Sequence, residues 1–239
     1  MMFTVTCVLF DPLPTSKIPD RSKVYSPQWV DIMWRMLDRN LTREWRLVCL
    51  THYPKEAFHE DVVVVQFLED SRDVWCINEV LRPDLEVEQA MFVGLDTVIV
   101  RNIDFIADWR GDFAMPRFQK QGAGLKWENP IILYSGKGGA EMWHGRHRGL
   151  EDSWVVMQEF GPSEMRYWSK FAPEDTADIH AMWPGKIVPY DAMREGPMIR
   201  KDNRPGTPEE LHRSAKIIYF YGVGKPHTTD LEIAKEHWR

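Results

Sequence analysis

One acidic residue, Asp96, stands between two short apolar runs in the segment 90–104 (AMFVGLDTVIVRNID). Runs rich in β-branched residues predict buried strands, so Asp96 is expected where the first of them ends. A carboxylate so close to a core needs a cation, a hydrogen-bond donor or open water beside it. Two interpretations are open: a turn acid that caps the next segment through its own backbone, or a residue that holds a metal ion or another ligand at the carboxyl end of a strand.

A second candidate is the glycine-containing turn 222–227 (GVGKPH), which directly follows the apolar run 215–221. Its two glycines let backbone N–H groups approach an anion closely, and Lys225 adds a charge suited to phosphate. The spacing and the missing Ser/Thr exclude a Walker A loop. A plain β-turn with a solvated Lys225 is the alternative interpretation.

The elements that must position these residues begin with a strand over 3–10 and a helix opened by Ser26-Pro27. Ser is favoured at the N-cap and Pro at the first helical position. Strands over 45–51 and 62–67 follow, which makes a βαβ unit and predicts an α/β fold with a parallel sheet and helices packed on it. Further strands are predicted farther along the chain, with a flexible turn and an irregular stretch between them: strands 113–116, 130–135, 186–190 and 215–221, turn 136–139, irregular stretch 191–210.

The charge, the cysteines and the lengths of the apolar runs argue against several classes of function and location. The 239 residues carry 30 Lys+Arg against 36 Asp+Glu, a net charge of −6 without a polybasic run, which argues against a nucleic-acid partner. Three widely spaced cysteines, none in a CxxC pair, indicate reduced, buried thiols in a cytoplasmic protein. No apolar run approaches the ~18 residues of a membrane span, so a soluble, unexported protein with no membrane span is expected.

Taken together, the chain resembles the small nucleotide-sugar glycosyltransferases of the GT-A fold, especially the glycogenin-like group and its short bacterial and phage relatives. The turn 220–227 (FYGVGKPH) resembles the family's Phe-His-Gly-x-x-Lys-Pro-His/Trp motif, and 92–100 (FVGLDTVIV) resembles the stretch with its Asp-x-Asp motif. Other matching segments keep the family's order along nearly the whole chain: 4–8, Tyr25 with the helix after it, 47–51, 75–83 and 129–134.

The resemblance implies a single GT-A-like domain over 1–239, with a mostly parallel central sheet flanked by helices. Residues 1–104 would form a Rossmann-like half that binds the nucleotide-sugar, and residues 105–239 a half for the acceptor and the diphosphate. The implied reaction moves a sugar, from a UDP-sugar donor, to an unknown acceptor such as a glycan, a protein or a modified DNA base.

The resemblance also implies roles for particular residues. Asp96 would meet a Mn²⁺ or Mg²⁺ ion or the donor itself, while Lys225 and the backbone from Gly222 to Gly224 would hold the diphosphate. His227 would support that turn or touch the phosphate. Thr6 and Thr51, placed at the ends of the first two strands, and Tyr25 are candidates for the nucleoside. The family's acidic segment maps onto 163–165, which makes Glu164 the acid near the reacting sugar.

Two departures from the family pattern matter. Gly94 stands where the first aspartate would be, and Tyr221 where a metal-binding histidine would be. Three alternatives therefore stay open: phosphates and water complete the metal shell, catalysis runs without a metal, or the site is inactive. Rival functions are a phage-type transferase for modified DNA bases, which would work in the host cytoplasm, and a degenerate relative that binds nucleotide-sugar without turnover.

Overall fold

The computed structural model describes most of the chain, in these ranges: 2–10, 25–68, 73–118, 125–147, 164–195, 207–220 and 225–239. Within them, ten strands form two sheets. The strands are β1 Phe3–Leu9, β2 Trp45–Thr51, β3 Val62–Val65, β4 Gln89–Val93, β5 Thr97–Ile99, β6 Phe113–Met115, β7 Ile131–Ser135, β8 Ala177–Asp178, β9 Ile187–Pro189 and β10 Ile217–Tyr219.

Helices cover the sheets and link their strands. The α-helices are α1 Pro27–Asn40, α2 Asp104–Ala107, α3 Gly136–His147, α4 Glu164–Phe171, α5 Ile179–Met182, α6 Tyr190–Glu195, α7 Pro208–Ser214 and α8 Glu232–His237. Short 3₁₀ helices lie at Lys55–Ala57, Asp73–Leu81, Pro83–Leu85 and Pro226–Thr228. No helix among the described residues is both long and apolar enough to cross a membrane.

The predicted βαβ unit is confirmed. Helix α1 begins with Ser26 in the N-cap position and Pro27 behind it, and it ends at Asn40. Its apolar face packs on the sheet because residues three and four apart share one side of a helix; the buried positions include Trp29, Val30, Ile32, Met33, Met36 and Leu37. Strands β1 and β2 pair in parallel over their full length, from Phe3 with Trp45 to Leu9 with Thr51.

The large sheet has seven strands in the order β3-β2-β1-β4-β7-β6-β8. Its first four strands run parallel, β7 runs antiparallel to β4 and β6, and β8 is parallel to β6. The predicted α/β class with a mostly parallel sheet is therefore confirmed. The chain moves outward from β1 to β3 and then returns to place β4 on the other side of β1.

The small sheet, in the order β5-β10-β9, was not predicted as a separate layer. Strand β10 runs antiparallel to β5 and parallel to β9. The two apolar runs around Asp96 are indeed strands, yet they belong to different sheets. The turn between β4 and β5 therefore connects the two layers, which no periodicity in one short run reveals.

Two local predictions were wrong. Residues 136–139 were predicted as a flexible turn but open α3, where the backbone N–H of Gly138 donates to Ser135 Oγ at 3.0 Å. The stretch 191–210 was predicted as irregular, yet its described ends lie in α6 and α7. Thr207 caps α7 through a reciprocal pair of bonds with Glu210, a capping box that favours a helix start at this point.

Candidate active site

The strand order gives the large sheet a topological switch point beside β1, the place where open α/β sheets have their ligand crevice. Strand β1 lies between β2 and β4, and successive connections leave it in opposite directions. Ligands of open α/β sheets bind outside the carboxyl ends of the strands at such a reversal. Thr51 ends β2 at this edge, and the turn that contains Asp96 follows β4 here. The predicted location of Asp96 after a buried strand is confirmed.

Backbone hydrogen bonds fix the Asp96 turn from three sides. The N–H of Gly94 donates to the carbonyl of Pro130 at 2.9 Å, and the N–H of Thr97 closes the turn on the Gly94 carbonyl at 3.1 Å. The N–H of Phe220 donates to the Asp96 carbonyl at 3.2 Å. Asp96 is thus held between the large sheet and the small one.

The Asp96 side chain is paired with a lysine from the far end of the chain. Lys225 Nζ lies 2.5 Å from Asp96 Oδ2, and the two side chains are 11% and 17% exposed. Tyr25 completes the group: its hydroxyl donates to the same Oδ2 at 2.9 Å and accepts from Lys225 Nζ at 2.7 Å. The structure therefore brings three predicted site residues together as one polar triad, Tyr25, Asp96 and Lys225.

Local structure explains how Tyr25 and Lys225 reach Asp96. Tyr25 directly precedes the N-cap of α1, so the start of that helix places its ring at the crevice. Lys225 directly precedes the 3₁₀ helix Pro226–Thr228, and its carbonyl accepts from the N–H of Thr228 at 3.0 Å. Two well-defined helix starts thus converge on one carboxylate.

An aromatic cluster, formed by Tyr25, Trp29, His227 and Trp238, supports the triad. Trp29 packs edge-on against Tyr25, His227 and Trp238, with ring-centre separations of 4.9, 5.3 and 4.7 Å. Edge-to-face pairs at such distances add stability beyond the burial of area. His227 is exposed and its ring rests on this cluster, a placement that suits support of the Lys225 turn.

The two candidate threonines lie in different settings. Thr6 is in the middle of β1 rather than at its end; it is fully buried, with its hydroxyl 3.3 Å from that of Tyr134. Thr51 does end its strand, also buried, and its hydroxyl accepts from the N–H of Tyr53 at 3.1 Å. Of the pair, Thr51 has the position at the crevice that the sequence analysis expected.

The remaining candidates fall at the edges of the described structure. Gly222 and Gly224 lie outside the described residues, as does Tyr221. Glu164 is the first residue of α4, and its side chain lies outside the described part.

A buried polar cluster near the Asp96 turn was missed by the sequence analysis. The Tyr219 hydroxyl donates to Glu128 Oε2 at 2.6 Å and lies 3.4 Å from His180 Nε2. Tyr219 pairs across the small sheet with Thr97, the residue after Asp96. These three side chains come from distant segments, so no spacing in the sequence connects them.

The resemblance implies a Mn²⁺ or Mg²⁺ ion at Asp96, so the side chains around Asp96 should supply ligands for it. Both ions need several oxygen ligands, and the carboxylates that the protein adds to the substrate phosphates must be free to reach the metal. Asp96 is one carboxylate with an ammonium on Oδ2, and Gly94 offers no side-chain ligand. The described residues hold no group of three or more His, Cys, Asp or Glu arranged for a metal. This donor set does not fit a resident divalent ion.

Comparison with known proteins gives structural matches only. No protein-family profile and no curated protein matches the sequence. An active-site mutant of LgtC superimposes with a TM-score of 0.63 at 9% identity, covering 99% of this chain and 94% of LgtC. The galactosyltransferase LgtC in complex with donor and acceptor sugar analogues gives a TM-score of 0.60 at 10% identity, with coverages of 99% and 96%.

Two longer proteins match over part of their length. The glycosyltransferase GlyE of Streptococcus pneumoniae TIGR4 has a TM-score of 0.60 at 12% identity, covering 99% of this chain and 60% of GlyE. The bifunctional glycosyltransferase WbbM has a TM-score of 0.61 at 13% identity, covering 99% of this chain and 49% of WbbM. The chain thus spans about half to three fifths of these two proteins and nearly all of LgtC.

Proposed function

Because the chain has the GT-A glycosyltransferase fold over nearly its whole length, we propose that it transfers a sugar from a nucleotide-sugar donor, a UDP-sugar, to an acceptor. The observation that supports this most is the polar triad of Tyr25, Asp96 and Lys225 at the carboxyl end of β4. A fold by itself hosts many functions, so the proposal depends on this site rather than on the superposition alone.

The chemistry asks the protein to stabilise a departing anion. The bond between the anomeric carbon and the diphosphate oxygen breaks, and its electron pair leaves with the nucleoside diphosphate. The acceptor oxygen bonds to the anomeric carbon and gives up its proton. A positive group fixed beside the leaving oxygen stabilises the charge that develops there. We assign that task to the Lys225 ammonium, which Asp96 and Tyr25 hold in place.

The other candidates would surround the donor. Backbone N–H groups of Gly222 and Gly224 would bind the diphosphate, and His227 would support the turn that carries Lys225. Thr51, with Thr6 behind it in the neighbouring strand, would border the nucleoside. Glu164 would be the acid beside the reacting sugar.

A second function has one specific observation in its favour. Gly94 removes the first acid of the Asp-x-Asp pattern, as expected of a relative that binds nucleotide-sugar without turning it over. Binding with no turnover would therefore identify a binding protein that keeps the fold.

The test is a panel of nucleotide-sugars on wild type and on the Asp96→Ala variant. Thermal shift reports binding, and release of nucleoside diphosphate reports turnover. We expect one donor to raise the melting temperature and to be hydrolysed slowly by wild type. Asp96→Ala should lose that hydrolysis because Lys225 is no longer held in position, and misplaced catalytic groups cost large factors in rate. If no donor shifts the melting temperature, the transferase function is wrong.

A further inference from the structure

The carboxylate that the resemblance assigns to a divalent metal is already bound to a cation of the protein itself. Lys225 Nζ stands 2.5 Å from Asp96 Oδ2, which is hydrogen-bond contact between opposite charges. A metal on Oδ2 would displace this ammonium or stand beside it as a second positive charge. At a few ångströms, repulsion between like charges is costly in a site that is only 11–17% exposed.

Among the residues that the structure describes, the His, Cys, Asp and Glu side chains form no group of three or more that could hold such an ion. Gly94 removes one carboxylate, and a β-carbon at this position would lie only 3.1 Å from Asp96 Oδ1. Glu128, the carboxylate of the nearby buried cluster, is engaged by the Tyr219 hydroxyl at 2.6 Å. One acid with one ammonium is a balanced pair, whereas a divalent ion beside one acid and one ammonium is not.

We propose that the Lys225 ammonium replaces the divalent ion, so that this site binds a nucleoside diphosphate without a metal. The inference rests on the proposed function, since it names how the same site holds the diphosphate of its donor. It differs from the expectation drawn from the family, in which an ion at the Asp-x-Asp motif neutralises that charge.

The geometry suits this role. An ammonium has three N–H donors, and among the described residues two of them are directed at Asp96 Oδ2 and the Tyr25 hydroxyl. We assign the third to a phosphate oxygen of the bound diphosphate. The Tyr25 ring also lies near the ammonium, with Nζ 5.3 Å from the ring centre, which is a cation–π contact. Partial burial strengthens each of these charged contacts.

The first test measures affinity by titration calorimetry with UDP, GDP, ADP, CDP and TDP, in EDTA and in Mn²⁺. We expect one of them to bind wild type with the same dissociation constant in both, within about threefold. Lys225→Met keeps the length of the side chain and removes its charge. It should weaken binding by about 10- to 100-fold, as for the loss of a hydrogen bond to a charged group. The matched control is Lys235→Met, which removes an exposed lysine paired with Glu232 and should change nothing.

The second test separates a counter-ion from a metal ligand at Asp96. Asp96→Asn keeps the shape and removes the charge that competes with phosphate for Lys225. If Asp96 only positions the lysine, this variant should bind the same nucleoside diphosphate as well as wild type or more tightly. A loss of tenfold or more, or binding by wild type that requires Mn²⁺, would overturn the inference, as would no binding in either condition.

The outcomes distinguish this inference from the proposed function. Binding that requires Mn²⁺, together with turnover of the donor, refutes the metal-free site and leaves the transferase standing. Metal-free binding without turnover of any donor supports the metal-free site and refutes the transferase function.

Discussion

At the level of single residues, the most informative position is Gly94. Its φ is not in the left-handed region, since the positive-φ residues among those described are Glu86 and Gly185. A side chain is therefore compatible with the backbone here. The added β-carbon would meet Asp96 Oδ1 at 3.1 Å and the Pro130 carbonyl at 3.6 Å, so Asp96 would have to shift by a few tenths of an ångström.

Gly94→Asp should create metal affinity that the wild type lacks. Two adjacent carboxylates with one lysine leave a negative charge and the oxygen ligands that Mn²⁺ prefers. Titration of Mn²⁺ followed by electron paramagnetic resonance should show the free-ion signal falling with Gly94→Asp and unchanged with wild type. The control is Gly94→Asn, which has the same size without the charge. Equal Mn²⁺ binding by all three proteins would contradict this account of the site.

Residue types were enough to select the three side chains that the structure brings together, but not to predict what each of them contacts. Asp96, Lys225 and Tyr25 were all candidates from the sequence. Tyr25 was expected at the nucleoside, yet its hydroxyl bridges Asp96 and Lys225, across 71 and 200 positions of the chain. A contact of that separation depends on the folded chain, and no local pattern encodes it.

At the level of elements, the strands and α1 follow from periodicity and capping, whereas the layer to which a strand belongs does not. Strand β5 is only three residues long and follows β4 after a tight turn, a spacing that is also typical of a β-hairpin within one sheet. Tertiary pairing with β10 places β5 in the other sheet. Buried polar contacts beside these strands can be tested by mutation.

Tyr219→Phe should destabilise the protein more than Tyr190→Phe does. Tyr219 is fully buried, and its hydroxyl donates to Glu128 at 2.6 Å. Removing one partner of a buried hydrogen bond costs about 1–3 kcal/mol. Tyr190 makes a hydrogen bond to Asp230 at 2.7 Å near the surface, where water can replace the lost partner and the loss of stability is smaller. Urea unfolding of both variants measures the difference, and equal losses would contradict it.

A buried ion pair anchors the 3₁₀ helix Asp73–Leu81 beside the large sheet. Arg82 and Glu79 are 3% and 0% exposed in their side chains, 3.0 Å apart. Arg82→Met removes the guanidinium from a buried carboxylate and should cost about 3–5 kcal/mol of unfolding free energy. Asp84→Asn breaks the exposed half of this network, at a cost of about 1 kcal/mol or less. Comparable losses of unfolding free energy in the two variants would show that burial does not determine the strength of these ion pairs.

The same network predicts a pH dependence. The Arg82 guanidinium, through its hydrogen bond, lowers the pKa of the Asp84 carboxyl from its ordinary 3.8. A group with a depressed folded pKa contributes stability above its unfolded pKa and loses it as the pH falls through the folded value. As the pH falls from about 5 through the folded pKa of Asp84, the free energy of unfolding should therefore decrease more in wild type than in Asp84→Asn. Parallel curves in urea unfolding would contradict the assignment.

At the level of the whole molecule, the larger of the two hydrophobic core clusters of the described residues extends across both layers. It contains Val5 and Met91 of the large sheet together with Val98 and Ile218 of the small one, all fully buried. Strands from both predicted halves, 1–104 and 105–239, contribute to each sheet.

The shared core predicts cooperative unfolding. Tryptophan fluorescence and far-ultraviolet circular dichroism should give coincident urea transitions with one midpoint, as for a two-state domain. The tryptophans are suitable reporters because they lie in both halves, for example Trp29 and Trp168. Two separated midpoints would show that the halves fold independently.

The most direct test of the central claim uses the nucleotide-sugar that raises the melting temperature of the wild type. The rate at which nucleoside diphosphate is released from this donor is measured at saturating concentration for wild type, Lys225→Met and Lys235→Met. The claim is that Lys225 stabilises the departing diphosphate in a glycosyltransferase. It predicts release by wild type and by Lys235→Met at similar rates, and a loss of about 100-fold or more in Lys225→Met, as when one preorganised group is removed from a charge-stabilising site. Equal rates in all three proteins would show that the chemistry, if any, takes place elsewhere.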